Sequence, residues 1–197
     1  KRLLKTVLAL RDDPNSAYFG CLMRALVLPA EDRLWLLNLE VEVFLGDVSD
    51  IAACERLTLG GERGLVLHLA GVIHPRTVRE FDSVNVKGTF NILSASSRAG
   101  VTRMVMMSSS AVYGAVGKPD ELLTERSETS AEGAYGRSKV RAEGLLRRAF
   151  GSLEGPSITI IRAPWFYGPG QPDRQTRFFE MVQHGVFPIA HHGNNKR

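Results

Sequence analysis

The sequence predicts an α/β fold organised around a parallel sheet, and three observations point that way. Short apolar runs of strand length recur along the 197 residues, separated by segments long enough for helices. One of them, Leu65-Val66-Leu67-His68-Leu69-Ala70, is apolar almost without interruption, as strands buried on both faces are. Another, Arg103-Met104-Val105-Met106-Met107, delivers Ser108-Ser109-Ser110 at its end, with a Tyr-x-x-x-Lys pair at Tyr135 and Lys139 downstream.

Taken in order, Lys1 to Leu4 read as the last turn of a helix, and Thr6-Val7-Leu8-Ala9-Leu10 as a short strand closed by Arg11-Asp12-Asp13-Pro14-Asn15. Residues 17–39 are Leu-rich and are divided by Pro29 into two expected helical pieces. Val41 to Leu45 alternates like a strand, and Gly46-Asp47-Val48 ends it; Ser49 or Asp50 then supplies an N-cap. After the strand through Ala70, Gly71 permits close backbone approach, and His68 is expected to be a satisfied core residue. His74-Pro75 breaks the chain before a helix over Arg76 to Arg98, in which Asn85 is a poor helix former. Residues 114–134 read as a polar loop, Tyr135 to Phe150 as a helix, and Ser157 to Ile161 as the last strand.

Tyr135 and Lys139 are four apart and so share a helix face. A phenol with a pKa of about 10 needs roughly three units of help, about 4 kcal/mol, to act as a base near neutrality. An ammonium at about 4 Å supplies roughly that at an effective dielectric near 20. Alone the pair is commonplace. Ser109, 26 residues earlier at a strand end, makes it a constellation.

Gly46-Asp47-Val48-Ser49-Asp50, His68-Leu69-Ala70-Gly71, Asn85-Val86-Lys87-Gly88-Thr89, the serine-rich strand end, Tyr135…Lys139 and Arg162 to Gly170 occur together and in order. In this the chain resembles the extended short-chain dehydrogenases/reductases of the NAD-dependent epimerase/dehydratase kind, 3β-hydroxysteroid dehydrogenase-like members included. The resemblance implies a Rossmann-type doubly wound parallel sheet. It makes residues 1–170 an NAD(P)-binding domain and residues 171–197 the start of a substrate-binding portion. It also implies Tyr135 as acid/base, Lys139 as its activator and ribose ligand, and Ser109, four before the marker Tyr113, as the group holding the substrate oxygen. Asn85 would steady the active-site helix and a water near the lysine. Asp47 and Val48 would bracket the adenine, Leu69, Ala70 and Gly71 would line the cofactor, and Pro164 would turn the backbone toward the nicotinamide. Arg11 before Asp12, just past the strand over 6–10, resembles the arrangement of NADP users; a turn-capping arginine is the alternative. Trp165, Phe166 and Tyr167 are candidates for a substrate pocket, and Arg174 and Arg177 for an anionic substrate group.

The expected chemistry is hydride transfer at a carbinol or carbonyl carbon of a nucleotide sugar or sterol-like alcohol, with NADP or NAD as cofactor. Two other readings stay open, a non-catalytic binding module and an inactive fragment. The fragment reading rests on an expectation from the resemblance, that the first strand with its glycine-rich loop and most of the substrate portion are missing from this sequence. A homodimer through the active-site helices fits the same resemblance.

The bulk numbers are those of a globular protein: 44% hydrophobic, 23% charged, net charge +4 with 25 scattered Lys and Arg. No basic block marks a nucleic-acid surface. Cys21 and Cys54 are expected to be free thiols, and no apolar run reaches membrane-helix length, so the cytoplasm is the expected compartment. His184, His191 and His192 lack carboxylates at metal spacing, and no metal site is expected.

Overall fold

The computed structural model describes residues 2–115, 122–149, 155–165, 167–168, 171 and 173–186, with the side chains of Arg2, Leu37 and Arg174 excepted. These residues fall into two compact units. The first comprises residues 1–21, 116–125 and 165–197; the second, which holds every strand, comprises 22–115 and 126–164.

In the second unit, β1 (Met23–Val27) and β2 (Val41–Leu45) form a parallel pair, while β3 (Leu65–His68), β4 (Arg103–Ser109) and β5 (Ser157–Ala163) form a parallel triple in the order β3-β4-β5. All ladders are parallel, so all carboxyl ends within each sheet lie on one edge. Helices α2 (Leu34–Leu37), α3 (Ile51–Thr58), α4 (Gly88–Arg98) and α5 (Ala134–Ala149) connect or cover the strands. A π-helical stretch over Phe81–Lys87 leads directly into α4, and a 3-10 turn over Ser110–Tyr113 follows β4. Asp50, not Ser49, caps α3: its carboxylate accepts from the Ala52 amide at 3.0 Å.

One core serves both sheets. Val48 and Cys54 from the β2–α3 side pack with Ile92, Leu93, Met104, Met106, Ala142 and Leu146, and Leu26 of β1 and Val66 of β3 lean on the same cluster. Met104 and Met106 are fully buried, as the inward positions of a strand covered by α4 and α5 should be.

The first unit corrects the reading of the N-terminus. Residues 6–10 are not a strand: they lie within α1 (Arg2–Asp12). The strand is instead at Met23–Val27, inside the stretch read as two helical pieces, of which only the four-residue α2 is helical. A short apolar run is ambiguous between strand and helix. Arg24 and Ala25 hid the true strand, and Arg24 is placed by its stem: the guanidinium bonds Glu42 at 3.0 Å and the carbonyl of Leu59 past α3. Helix α6 (Asp173–Gln183) also belongs to this unit. No helix among the described residues is long and apolar enough to cross a membrane, and no three of their His, Cys, Asp and Glu cluster to hold a metal.

Candidate active site

The carboxyl edge of the β3-β4-β5 sheet assembles most of the residues singled out by sequence. The register pairs Ser109 with Ala163, so Pro164 leaves the sheet beside the serine. His68 pairs with Met106, which sends Leu69, Ala70 and Gly71 out past the same edge, all three exposed. Asp47 and Val48 follow β2 at the corresponding end of the other sheet.

Helix α5 brings Tyr135 and Lys139 to this edge. Lys139 is 5% exposed, and its Nζ donates to the carbonyl of Met107 at 3.0 Å. A Cβ built on Gly71 would lie 3.2 Å from Lys139 Nζ and 3.1 Å from Asn85 Oδ1. Glycine there keeps the backbone of the β3 end open directly against the ammonium. Burial holds the Lys139 pKa below the ordinary lysine value, and Glu143 acts in the opposite direction. The Tyr135 ring sits 6.1 Å from that of Phe81, tilted by 51°.

Asn85, in the π-helical stretch, is almost fully buried and fully engaged. Its Oδ1 accepts from the Val72 amide at 2.8 Å, and its Nδ2 donates to the Val72 carbonyl at 3.1 Å and to Ser138 Oγ at 2.9 Å. The Ser138 hydroxyl donates in turn to the Tyr135 carbonyl at 2.7 Å. Asn85 thus ties the β3 end to the first turn of α5. π-Helical geometry within helices is found frequently at functional sites.

His68 is a core residue, as expected. Thr89 Oγ1 gives its proton to the Asn85 carbonyl at 2.7 Å, so the contact at 2.9 Å to His68 Nε2 has the imidazole as donor. Burial, and then Lys139, push the His68 pKa down to about 4. The unfolded chain therefore binds more protons than the folded one between pH 4 and 6.5, and stability should fall as the pH drops through that window. Thermal melts of parent and His68→Gln should differ in slope there by up to about 3 kcal/mol over the window; parallel curves would refute the neutral buried imidazole.

Ser109 Oγ accepts from the Ala111 amide at 3.2 Å and caps the 3-10 turn, leaving the hydroxyl proton as a donor. Asp47 Oδ1 accepts from Ser49 N at 2.7 Å, and Val48 is 6% exposed with its carbonyl taken by Asn91 Nδ2 at 3.0 Å.

Arg11 is the clear correction. It lies in the last turn of α1 and pairs with its neighbour Asp12 at 2.8 Å, not past a strand. The preference for NADP over NAD drawn from it loses its structural basis. Trp165 and Tyr167 stand about half exposed in the first unit, edge to face at 6.4 Å, and Tyr167 packs on Phe179 at 4.9 Å. Arg177 is exposed on α6; Phe166, His191, His192 and the side chain of Arg174 lie outside the described residues.

Sequence reasoning passed over one cluster. Glu143, one further turn along the face of Tyr135 and Lys139, is 2% exposed. It accepts from Ser108 Oγ at 2.6 Å, from Arg162 Nη2 at 2.8 Å and from Arg147 Nη2 at 3.2 Å. Arg162 Nη1 donates to the Tyr113 hydroxyl at 2.8 Å, its guanidinium 4.8 Å above that ring. The available signal was the continued spacing of four and an arginine inside an apolar strand.

The model of the NAD dependent epimerase/dehydratase family matches residues 5–197. The chain belongs to that family. Among relatives of this epimerase/dehydratase chain, the uncharacterized protein y4nL of Sinorhizobium fredii is 41% identical over 89% of the chain and 49% of its own length. Ceramide reductase of Caulobacter vibrioides and dTDP-D-glucose 4,6-dehydratase of Mus musculus are each 32% identical, over 77% and 71% of the chain and 41% and 40% of their own lengths. A short-chain dehydrogenase/reductase superfamily structure from Agrobacterium tumefaciens with bound NAD superposes with a TM-score of 0.56 at 28% identity, covering 71% of this chain and 48% of that one. The chain spans about half the length, or less, of these relatives.

Proposed function

We propose that this chain carries the acid/base part of an NAD(P)-dependent epimerase, dehydratase or reductase acting on a carbinol or carbonyl carbon of a nucleotide sugar. One observation carries the reading: Lys139, buried and anchored on Met107, meets the open backbone of Gly71 one helical turn from Tyr135. The dehydratase among the relatives supports a nucleotide sugar. The ceramide reductase supports a lipid alcohol as the second reading.

The strand ends fit the nicotinamide-ribose half of a dinucleotide. A side chain at Gly71 would fill the space against Lys139, and the bond to Met107 uses one of the ammonium's three donors. Lys139 would hold the ribose, Leu69, Ala70, Gly71 and Pro164 would line that half, and Asp47 and Val48 would receive the adenine. When bound, the cofactor supplies hydride acceptance and return. Ser109 would donate its proton to the substrate oxygen. Tyr135 would take the proton of that oxygen as the carbinol is oxidised and return it on reduction. Lys139 would lower the cost of the phenolate between the two events. Trp165, Arg174 and Arg177 are assigned to the substrate on family resemblance. A homodimer through the π-helical stretch, α4 and α5 is part of the reading, supported by Phe90, which stands 53% exposed on α4. So is a reducing, cytoplasmic setting, supported by the free thiols Cys21 and Cys54.

The test is Tyr135→Phe in the full-length protein, followed at the reduced-nicotinamide absorbance band with UDP- and dTDP-sugars. Turnover should fall at least about a hundredfold with an unchanged melting temperature. Undiminished turnover would overturn the assignment.

A further inference from the structure

Beyond the catalytic set itself, the cluster around Glu143 joins four elements that carry it. Glu143 belongs to α5, Ser108 to β4, Arg162 to β5 and Tyr113 to the turn after Ser109. The carboxylate is 2% exposed and the guanidinium 9%, held by Nε at 3.1 Å to Oε1 and Nη2 at 2.8 Å to Oε2. A buried ion pair is poor evidence of stability, because apolar residues of the same volume usually serve as well. Its location therefore asks for another explanation. Ser108 adjoins Ser109, Arg162 is two residues from Pro164, and Glu143 is one turn from Lys139.

We propose that Glu143, clamped by Arg162 and Ser108, is a positioning residue for the Tyr135–Lys139 pair. It locks α5 against the ends of β4 and β5, and it provides the fixed negative charge that keeps the Lys139 ammonium in place. The inference rests on the acid/base role proposed above for Tyr135 and Lys139.

Among the described residues, the surroundings of Lys139 leave Glu143 as the counter-charge. From β3 comes His68, neutral and donating to Thr89. From the π-helical stretch comes Asn85, uncharged, while Asp82 of that stretch pairs with Arg141 at the surface. Strand β4 offers the Met107 carbonyl and the Ser108 hydroxyl. From α5 itself come Tyr135, Glu143 and Arg147, the last exposed and bonded to Glu143. Arg162 of β5 and Tyr113 reach Lys139 through Glu143. Glu143 accordingly opposes the effect of burial on Lys139.

The decisive experiment titrates the Lys139 side chain by nitrogen-detected NMR in the full-length protein, assigned by its loss in Lys139→Met. Glu143→Gln keeps the shape and removes the charge. Glu143→Met with Arg162→Met keeps the volume and removes both charges, and stands in if the single variant fails to fold. Glu143→Gln should lower the Lys139 midpoint by about half a unit or more, and the double variant should lower it by less because a cation leaves with the anion; the alkaline limb of kcat/KM should move down in the same order. A midpoint unchanged in either folded variant would overturn the proposal and leave the cluster a structural staple. The titration does not depend on turnover, so an active Tyr135→Phe protein would overturn the catalytic reading separately.

Discussion

Gly136→Ala is expected to cost about 2 kcal/mol of stability and to lower kcat/KM about a hundredfold. On propensity alone the change should help, because alanine gains about 1 kcal/mol over glycine inside a helix. The surroundings reverse the sign. A Cβ at Gly136 would stand 2.5 Å from the carbonyl oxygen of Ala111 and 3.0 Å from Ala131 Cβ. The first of these is backbone, in the 3-10 turn that Ser109 caps, and cannot rotate aside. Helix α5 would have to back away, and overpacking of this kind costs about 1–3 kcal/mol. The residue before Gly136 is Tyr135, and the turn it would leave follows Ser109. A displacement of about 1 Å between reacting groups suffices for a hundredfold loss. Thermal unfolding of the variant and its kcat/KM, measured together, check both halves. A higher melting temperature with normal activity would show that the approach of α5 is not tight.

Arg162→Ala is expected to be costlier still, about 3–5 kcal/mol at neutral pH, because it leaves a buried carboxylate with only Ser108 and the exposed Arg147 as partners. The loss should depend on pH with a definite sign. In the native chain burial works to raise the Glu143 pKa, but bonds from Arg162 and Ser108 outweigh it and hold the group below its usual value. The resulting stabilisation is present above the unfolded pKa of about 4.5 and fades as pH falls through the lower folded value. Without Arg162 only Ser108 and Arg147 oppose burial, so the folded pKa rises and the stabilisation present above about pH 4.5 shrinks. The gap between parent and variant should therefore narrow on acidification from pH 7 to pH 4. Denaturant unfolding at several pH values measures it, and a constant gap would mean that Arg147 alone suffices to hold the Glu143 charge.

What was legible in the sequence follows from physical context. Leu65–His68 and Arg103–Ser109 are bounded by turn residues and are buried or half-buried along most of their length, so their apolar runs have one reading. Thr6–Leu10 is also followed by Asp13-Pro14, but its neighbours Arg2, Lys5 and Arg11 complete a helix with polar positions around a Leu-rich stripe. Tyr135 and Lys139 were readable because helix spacing puts them on one face and Ser109 at a strand end singles the pair out. Glu143 was not, since a charged residue late in a helix is ordinarily solvated. Only the partners on β4 and β5, 35 residues before and 19 after it, reveal why it is inside. The π-helical geometry at Asn85 likewise depends on Val72 and Ser138, neither a neighbour in sequence.

The two sheets have one further consequence. Their backbones share no ladder among the described residues, and they cohere through side chains on α3, α4 and the common core. A dinucleotide with its adenine at Asp47–Val48 and its nicotinamide ribose at Lys139 would reach from one sheet's edge to the other's. Such a molecule would act as a mechanical strut as much as a reagent. Its binding energy would then add to the common core in holding the two sheets together, growing with the logarithm of its concentration.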